Sequence, residues 1–92
     1  MVKFLDVGSG PGTNAVIFKD RGELQVTRMD GNPDNQPDVV HDILQPFPDD
    51  HRGAYDLVLA SHVLEHVDYR QVAKVLRNIV EAAKIGGEVW IF

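Results

Sequence analysis

A glycine-rich turn near the N-terminus constrains the fold of this chain more than any other feature of its sequence. Residues 4–7 are mostly apolar, and they run into three glycines that alternate with other residues: Gly8, Gly10 and Gly12. In a parallel α/β sheet such a turn lies at the carboxyl end of a strand, where glycines let the backbone approach a ligand that any Cβ would obstruct. The turn therefore predicts an α/β fold with a ligand site, of the kind that binds a nucleoside.

The spacing of the glycines narrows the choice of ligand. The dinucleotide-binding fingerprint is G-x-G-x-x-G, followed about 20 residues later by an acid that binds the ribose. Here the pattern is G-x-G-x-G, Thr13 stands where the dinucleotide pattern requires glycine, and Pro11 lacks an N–H that a pyrophosphate could use. The distal acid is present, because Asp30 ends the next apolar run. The sequence thus favours an adenosine group and argues against a pyrophosphate.

Four further motifs follow the glycine turn in order and carry a resemblance to a known family. The sequence resembles the class I S-adenosylmethionine-dependent methyltransferases, whose first motif reads acid-x-G-x-G-x-G and matches residues 6–12. The later matches are Asp30 after the second predicted strand, residues 41–44 after the third, residues 61–67 after the fourth, and Gly86-Gly87 before the fifth. The resemblance covers essentially the whole chain.

The pattern of apolar runs predicts a single domain over residues 1–92 in which strands alternate with connections. We predict strands at residues 3–7, 24–29, 38–41, 55–60 and 88–92, and helices at 13–20 and from Asp68 to Lys84. Residues 31–37 are too few for a proper helix. The resemblance implies a Rossmann-like three-layer sandwich with a five-stranded parallel sheet of order 3-2-1-4-5, lacking the usual C-terminal antiparallel strands.

The resemblance also implies which residues bind the cofactor, S-adenosyl-L-methionine. Asp30 is expected to accept hydrogen bonds from both ribose hydroxyls, and Asp42 from the adenine amine, with Ile43 beside the ring; ordinary turn or capping roles are the alternatives. Asp6 is expected either to organise the loop and approach the methionine amino group, or merely to cap backbone N–H groups. The remaining expected cofactor contacts are Gly8, Ser9, Gly10, Gly12, Gly31, Asn32, Ser61 and His62.

The histidines after the fourth strand have three interpretations. Residues 62–66 spell H-x-x-E-H, the pattern of an inverted zinc peptidase motif, but no third ligand is evident and we predict no metal site. In a methyltransferase, His62 is the first candidate for a general base and His66 the second. The alternative is that either imidazole simply hydrogen-bonds the backbone.

Composition limits the partners and the compartment. The net charge of -5 offers no basic surface for nucleic acid, and the absence of cysteine excludes disulfides and thiolate zinc sites. No run approaches the roughly 20 apolar residues of a membrane span, so we expect a cytoplasmic protein. The apolar residues 90–92 would lie on an edge strand, which favours self-association or a partner strand.

Two functions of different classes follow. The first is a methyltransferase that moves the methyl group of S-adenosyl-L-methionine to an O or N atom of a small-molecule or protein acceptor by in-line displacement. The alternative is a non-catalytic S-adenosylmethionine-binding or interaction module that a partner chain completes. An NAD-binding fold is a third alternative.

Overall fold

The computed structural model describes all 92 residues, Met1–Phe92, and is built on a five-stranded parallel sheet. The strands are β1 (Val2–Val7), β2 (Leu24–Asp30), β3 (Val39–Val40), β4 (Tyr55–Ala60) and β5 (Ala83–Ile91). Their order is β3-β2-β1-β4-β5 and every neighbouring pair is parallel, as predicted. Because the order reverses between β1 and β4, a crevice opens at the carboxyl ends of these two strands.

The helices are short. One α-helix, α1, spans Val72–Glu81, and none of the helices is long and apolar enough to cross a membrane. The other helical segments are 3₁₀ helices: Ala15–Arg21, Pro33–Asn35, Asp49–His51, Leu64–His66 and Tyr69–Gln71. The single turn Pro33–Asn35 confirms that the connection between β2 and β3 holds no proper helix.

The core has two parts because successive residues of a strand point to opposite faces of the sheet. The part facing α1 is the larger and includes Leu5, Val7, Met29, Val58, Ala60, Val75 and Ile79. The other part consists of Phe4, Phe18, Leu57 and Leu59, beneath the 3₁₀ helix Ala15–Arg21. Helix, sheet and 3₁₀ segment form the predicted three layers, and β4 is buried on both faces, as expected of a central strand.

The first predicted helix is a 3₁₀ helix. A helix was predicted at residues 13–20, and the structure has the 3₁₀ helix Ala15–Arg21, with a non-helical φ of -108° and ψ of 24° at Phe18. The ring of Phe18 is buried, with its centroid 5.5 Å from that of Phe4 and 5.6 Å from that of Trp90. A segment this short has little helical stability of its own, so packing on the sheet decides its backbone.

The second predicted helix is wrong at its end. Lys84 was expected in the last helical turn, but α1 ends at Glu81 and Lys84 lies in β5. The reason is that the segment leading into β4 supplies hydrogen bonds to the end of the helix. The N–H of Gly53 donates to the carbonyl of Glu81 at 2.7 Å, and the N–H of Tyr55 donates to that of Ala82 at 3.2 Å. These bonds replace a glycine cap.

The start of this helix also differs from the prediction. Asp68 does accept a hydrogen bond, at 2.9 Å from the N–H of Arg70, but it begins the 3₁₀ turn Tyr69–Gln71 and not α1 itself. The side chain of Gln71, three residues after Asp68, makes no cap hydrogen bond, so the two residues do not form a capping box.

The strand bounds differ modestly from the predictions, with one exception. β4 has the predicted bounds, β1 begins one residue earlier, β2 includes Asp30, and β3 has only two residues instead of 38–41. β5 begins at Ala83 instead of residue 88, because Ala83 already pairs with Tyr55. The register then shifts within β5, and Gly86-Gly87 lie inside this irregular stretch.

Candidate cofactor-binding site

The glycine turn follows β1 directly, and its backbone needs glycine at two positions. Gly8 has a φ of +66° and Gly10 a φ of +69°, in the left-handed region that side chains disfavour. A Cβ on Gly8 would also lie 2.6 Å from Cγ2 of Val63, on the segment after β4. Gly12 has no such requirement, since a Cβ there would meet open space. The turn thus comes into close contact with the segment that forms the other side of the crevice.

Asp30, at the end of β2, is hydrogen-bonded to the glycine turn. Its Oδ2 accepts from the N–H of Gly10 at 2.8 Å, and its Oδ1 accepts from the N–H of Asn32 at 2.8 Å. Partial burial raises the pKa of Asp30, but the hydrogen bonds from Asn32 and Gly10 and the charge of Arg28 outweigh burial and hold that pKa below its ordinary value. Asp30 is therefore a carboxylate at neutral pH, and each of its oxygens can accept a further hydrogen bond.

Arg28 is a residue of the site that the sequence analysis missed. Its guanidinium donates to the carbonyls of Gly12 at 2.8 Å and Gly10 at 2.6 Å, and also to those of Asn35 at 2.8 Å and Gln36 at 3.1 Å. One side chain thus holds the glycine turn against the loop after β2. A signal was available, because Arg28 stands two residues before Asp30 on β2 and so shares its face of the sheet.

Asp6 lies beneath the turn and is fully buried. Its Oδ2 accepts from the hydroxyl of Thr13 and from the N–H of Asn14, both at 2.8 Å. These contacts fit the expected role in organising the loop and also the alternative of capping backbone N–H groups. Its Oδ1 is buried without any hydrogen-bond partner. Since an unpartnered buried acceptor is costly, this oxygen is suited to a donor that the protein itself does not supply.

A cavity of about 410 Å³ opens beside these residues at the crevice between β1 and β4. Five predicted site residues line it: Gly8, Asp30, Asp42, Ile43 and His62. Seven others do not line it: Asp6, Ser9, Gly10, Gly12, Gly31, Asn32 and Ser61. The other wall comes from the segment after β4, and it includes residues that were not among the predicted cofactor contacts: Val63, His66, Val67, Asp68 and Gln71.

The predicted residues that lie outside the cavity wall shape the loops behind it. The hydroxyl of Ser9 donates to the carbonyl of Gly10 at 3.2 Å, and the side chain of Asn32 accepts from the N–H of Asp34 at 3.0 Å. Gly31 is exposed, and Ser61 is half-buried at the end of β4. Among these four, Ser9 is the one that touches the glycine turn itself.

Asp42 and Ile43 belong to a tight turn after β3. The N–H of Gln45 donates to the carbonyl of Asp42 at 2.9 Å, and the N–H of Leu44 donates to Oδ1 of Asp42 at 2.9 Å. The turn presents three consecutive side chains to the cavity, those of Asp42, Ile43 and Leu44. Asp42 therefore has the local turn role given as its alternative and also reaches the cavity.

His62 begins the opposite wall in an unusual conformation. It has a φ of +57°, rare for a residue with a side chain, and its N–H donates to the carbonyl of Phe92 at 3.2 Å. Its Nδ1 lies 3.3 Å from Oε1 of Glu65, which is also 3.7 Å from Nε2 of His66. His62 stands outside the 3₁₀ turn Leu64–His66, so the two histidines do not share a helix face as the H-x-x-E-H zinc motif requires.

The comparisons with known proteins agree with this geometry. A family model described as a methyltransferase domain matches residues 3–91. The chain belongs to this family of methyltransferase domains. None of the curated proteins matches this methyltransferase domain. The third alternative from the sequence, an NAD-binding fold, has no support in the family match.

Solved structures share the fold at low sequence identity. The mitomycin 7-O-methyltransferase MmcR superposes with a TM-score of 0.76 at 22% identity, over 98% of this chain and 30% of MmcR. A complex named DhpI-SAM-HEP superposes with a TM-score of 0.74 at 22% identity, over 96% of this chain and 45% of the other. PKMT2 from Rickettsia typhi, in complex with AdoHcy, superposes with a TM-score of 0.71 at 19% identity, over 96% of this chain and 20% of PKMT2. This methyltransferase domain thus spans less than half the length of each of these proteins.

Proposed function

We propose that this methyltransferase domain binds S-adenosyl-L-methionine and transfers its methyl group to an O or N atom of a small-molecule or protein acceptor. The observation that carries the proposal is the hydrogen bond of 2.8 Å between the N–H of Gly10 and the carboxylate of Asp30, at the wall of the cavity. It joins the glycine turn to the distal acid, the two features from which an adenosine site was predicted. The two structural neighbours named as complexes with SAM and AdoHcy support the choice of cofactor.

The residues around the cavity fit the adenosine part of this cofactor. Each oxygen of Asp30 accepts one backbone N–H, which leaves one acceptor position per oxygen for the two ribose hydroxyls. Asp42 uses Oδ1 within its own turn, which leaves Oδ2 for the adenine amine, and Ile43 adds an apolar surface beside the ring. A cavity of about 410 Å³ lies within the range of small-ligand sites.

The residues beneath the glycine turn fit the methionine part. The unpartnered Oδ1 of Asp6 suits an ammonium donor that reaches it through a bridging water, since Asp6 lies behind the cavity wall. Gly8 also lines the cavity, so its backbone is placed to contact the ligand. We assign the backbone of Ser61 and His62 to the methionine arm, and Gly31 with Asn32 to the flank of the adenosine.

Methyl transfer from this cofactor requires little of the protein beyond orienting the reactants. S-adenosyl-L-methionine supplies a methyl group that its sulfonium already activates. The chain must align the acceptor and exclude water, and such alignment accounts for several kcal/mol of a barrier. We propose that His62 takes the proton of the acceptor: Glu65 lies at its Nδ1, which leaves Nε2 free to act as the base. His66, at the same cavity wall, is the second candidate.

The alternative function is an S-adenosylmethionine-binding module without activity of its own. Incubation with S-adenosylmethionine carrying a labelled methyl group, against a panel of phenols, amines and peptides, separates the two. Labelled product supports the transferase; cofactor binding with no labelled product from any acceptor supports the module.

The proposed function is tested by calorimetric titration with S-adenosylhomocysteine. The parent should bind, and Asp30→Ala should lose about 1–3 kcal/mol of binding free energy, the scale of an orphaned hydrogen-bond partner. Asp34→Ala is the matched control, since it removes an exposed carboxylate from the next turn of chain. Equal affinities of both variants and the parent would remove Asp30 from the site, and a folded parent that does not bind would refute the proposal.

A further inference from the structure

Asn78 is a buried polar residue on a helix face that is otherwise apolar. It is 5% exposed, and its neighbours along the inner face of α1, Val75 and Ile79, are fully buried core residues. A buried amide without partners would cost stability, so its hydrogen bonds decide what it does. Its Nδ2 donates to the carbonyl of Ile43 at 2.9 Å and to that of Gln45 at 3.1 Å. Both N–H bonds of the amide therefore act on one distant segment.

That segment is the turn of residues 42–45, which forms part of the cavity wall. The turn is closed by the hydrogen bond from Gln45 to the carbonyl of Asp42, and β3 just before it has only two residues. Nε2 of His41 lies 3.1 Å from the same Gln45 carbonyl that Asn78 contacts. With so little sheet pairing to hold it, the turn is held against α1 by the two hydrogen bonds of Asn78 and by the packing of Ile43 and Leu44 on the core.

We propose that Asn78 is a positioning residue for the cofactor: by holding the 42–45 turn at a set depth, it determines how tightly and how selectively the cavity binds the adenine base. The inference rests on the proposed function, in which Asp42 and Ile43 face adenine. Asp42 can discriminate the base only if its free oxygen stands within hydrogen-bond reach of the exocyclic amine, and a shift of about 1 Å is enough to lose such a contact.

Packing alone does not account for asparagine at this position. Leucine has the same number of side-chain heavy atoms and would suit an apolar helix face, whereas a buried amide contributes only through the bonds that it makes. Both of its donors act on carbonyls of the cavity turn, and neither acts on α1 itself. The side chain thus links the helix to the turn that carries the adenine contacts.

The test compares two probes that differ at the base. S-adenosylhomocysteine carries the exocyclic amine, and S-inosylhomocysteine carries a carbonyl oxygen there, which a carboxylate repels. Calorimetry on the parent should show tighter binding of the adenosyl compound. Asn78→Leu should weaken that binding about tenfold and bring the ratio of the two affinities close to one, since the turn loses both hydrogen bonds that fix its depth against α1. Asn78→Asp has the same shape, but as a carboxylate it cannot donate a hydrogen bond. It should lower the affinity and the ratio in the same way, and it replaces the leucine variant in the test if that variant does not fold.

Two further variants make the outcome specific. Ile79→Val removes one buried methylene from the same helix and should keep both the affinity and the ratio, although it lowers the stability. Asp42→Ala should bring the ratio of the two affinities close to one, because it removes the carboxylate that distinguishes the amine from the carbonyl oxygen. If the folded Asn78 variants keep the ratio of the parent while Asp42→Ala loses it, Asn78 is merely structural and the inference is overturned, with the proposed function intact. A parent that binds neither probe overturns both.

Discussion

Three aspartates at the carboxyl ends of neighbouring strands hold the backbone of the site, each in a different way. Asp6 binds the far end of the glycine turn through Asn14, Asp30 binds its middle through Gly10, and Asp42 closes its own turn. Each leaves acceptor capacity unused, and for Asp6 that capacity is a whole buried oxygen. Asp30 and Asp42 line the cavity and Asp6 lies behind its wall, and such a set of acceptors suits a ligand rich in donors, such as the hydroxyls, amine and ammonium of an adenosyl amino acid.

Gly8 is the residue at which backbone and space both forbid a side chain. Gly8→Ala should lower the unfolding free energy by about 1–3 kcal/mol, because the new Cβ overlaps Val63 and the φ is unfavourable. Urea unfolding measures the loss, and calorimetry should show weaker binding of S-adenosylhomocysteine.

The control for this prediction is Gly12→Ala, whose Cβ would meet open space. Combining Gly8→Ala with Val63→Ala should restore part of the binding, because it removes the overlapping methyl group. Indistinguishable behaviour of Gly8→Ala and Gly12→Ala would contradict the role assigned to Gly8.

At the scale of elements, the junction between α1 and β5 depends on its contacts with β4. The chain turns directly from helix to strand because backbone donors from residues 53–55 meet the last carbonyls of the helix. The register shift between Tyr55 and Leu57 then absorbs the extra residues of β5 around Gly87. This irregular stretch brings three carbonyl oxygens close to the α-carbon of Gly87, which leaves no room for a side chain.

Gly87→Ala should therefore destabilise the fold through β5. The added Cβ would lie 3.0 Å from the carbonyl oxygen of Lys84 and 3.1 Å from those of Asp56 and Tyr55, and backbone atoms held in a sheet cannot move aside easily. We expect a loss of about 1–3 kcal/mol in urea unfolding. Gly31→Ala is the control, since its nearest atom is 3.6 Å away in ordinary contact. Losses of equal size would show that the junction tolerates a side chain.

On the scale of the whole molecule, the two faces of the sheet are covered unequally, and apolar residues are exposed at the β5 edge. α1 covers one face, whereas the other has only a 3₁₀ helix, and the aromatic residues Trp90 and Phe92 at the β5 edge remain exposed. Self-association through this edge stays a prediction, which sedimentation of the parent against Trp90→Lys would test. A single monomeric species for the parent at high concentration would contradict it.

The carboxylates predict how stability depends on pH. The pKa values of Asp30, Asp56, Asp68 and Glu88 are all held below their ordinary values. For Asp56 the main cause is the hydrogen bond from the N–H of Lys3, followed by that from Lys84. A carboxylate whose pKa is lowered by folding contributes stability above its unfolded pKa, and the contribution is lost as the pH falls through its folded pKa.

Urea unfolding between pH 7 and about pH 3 should therefore show a free energy that is level above about pH 5 and falls below it. Asp56→Asn removes one of the contributing groups, so its curve should fall less steeply. A free energy that stays constant or rises as the medium becomes acidic would contradict the assignment.

Much of the fold follows from local patterns in the sequence. The bounds of β4, the glycine turn and the short connection after β2 were all predictable, because apolar runs and turn residues act on their own neighbours in the chain. The pairing of Asp30 with the glycine turn follows as well, since parallel strands bring their carboxyl ends to one edge. The strand order was predicted from the resemblance to a known family, which rests on residues 6–12 and the later motifs.

Only the tertiary structure decided the rest. The alternation of β2 places Arg28 on the same face as Asp30, but no local pattern encodes its contacts with Gly10 and Gly12. Nor does one encode the contact of Asn78 with Ile43, or the backbone groups of residues 53–55 that end α1. Local propensities are worth tenths of a kcal/mol per residue, whereas a buried donor or acceptor without a partner costs about 1–3 kcal/mol, so distant hydrogen bonds override local preference where the two conflict.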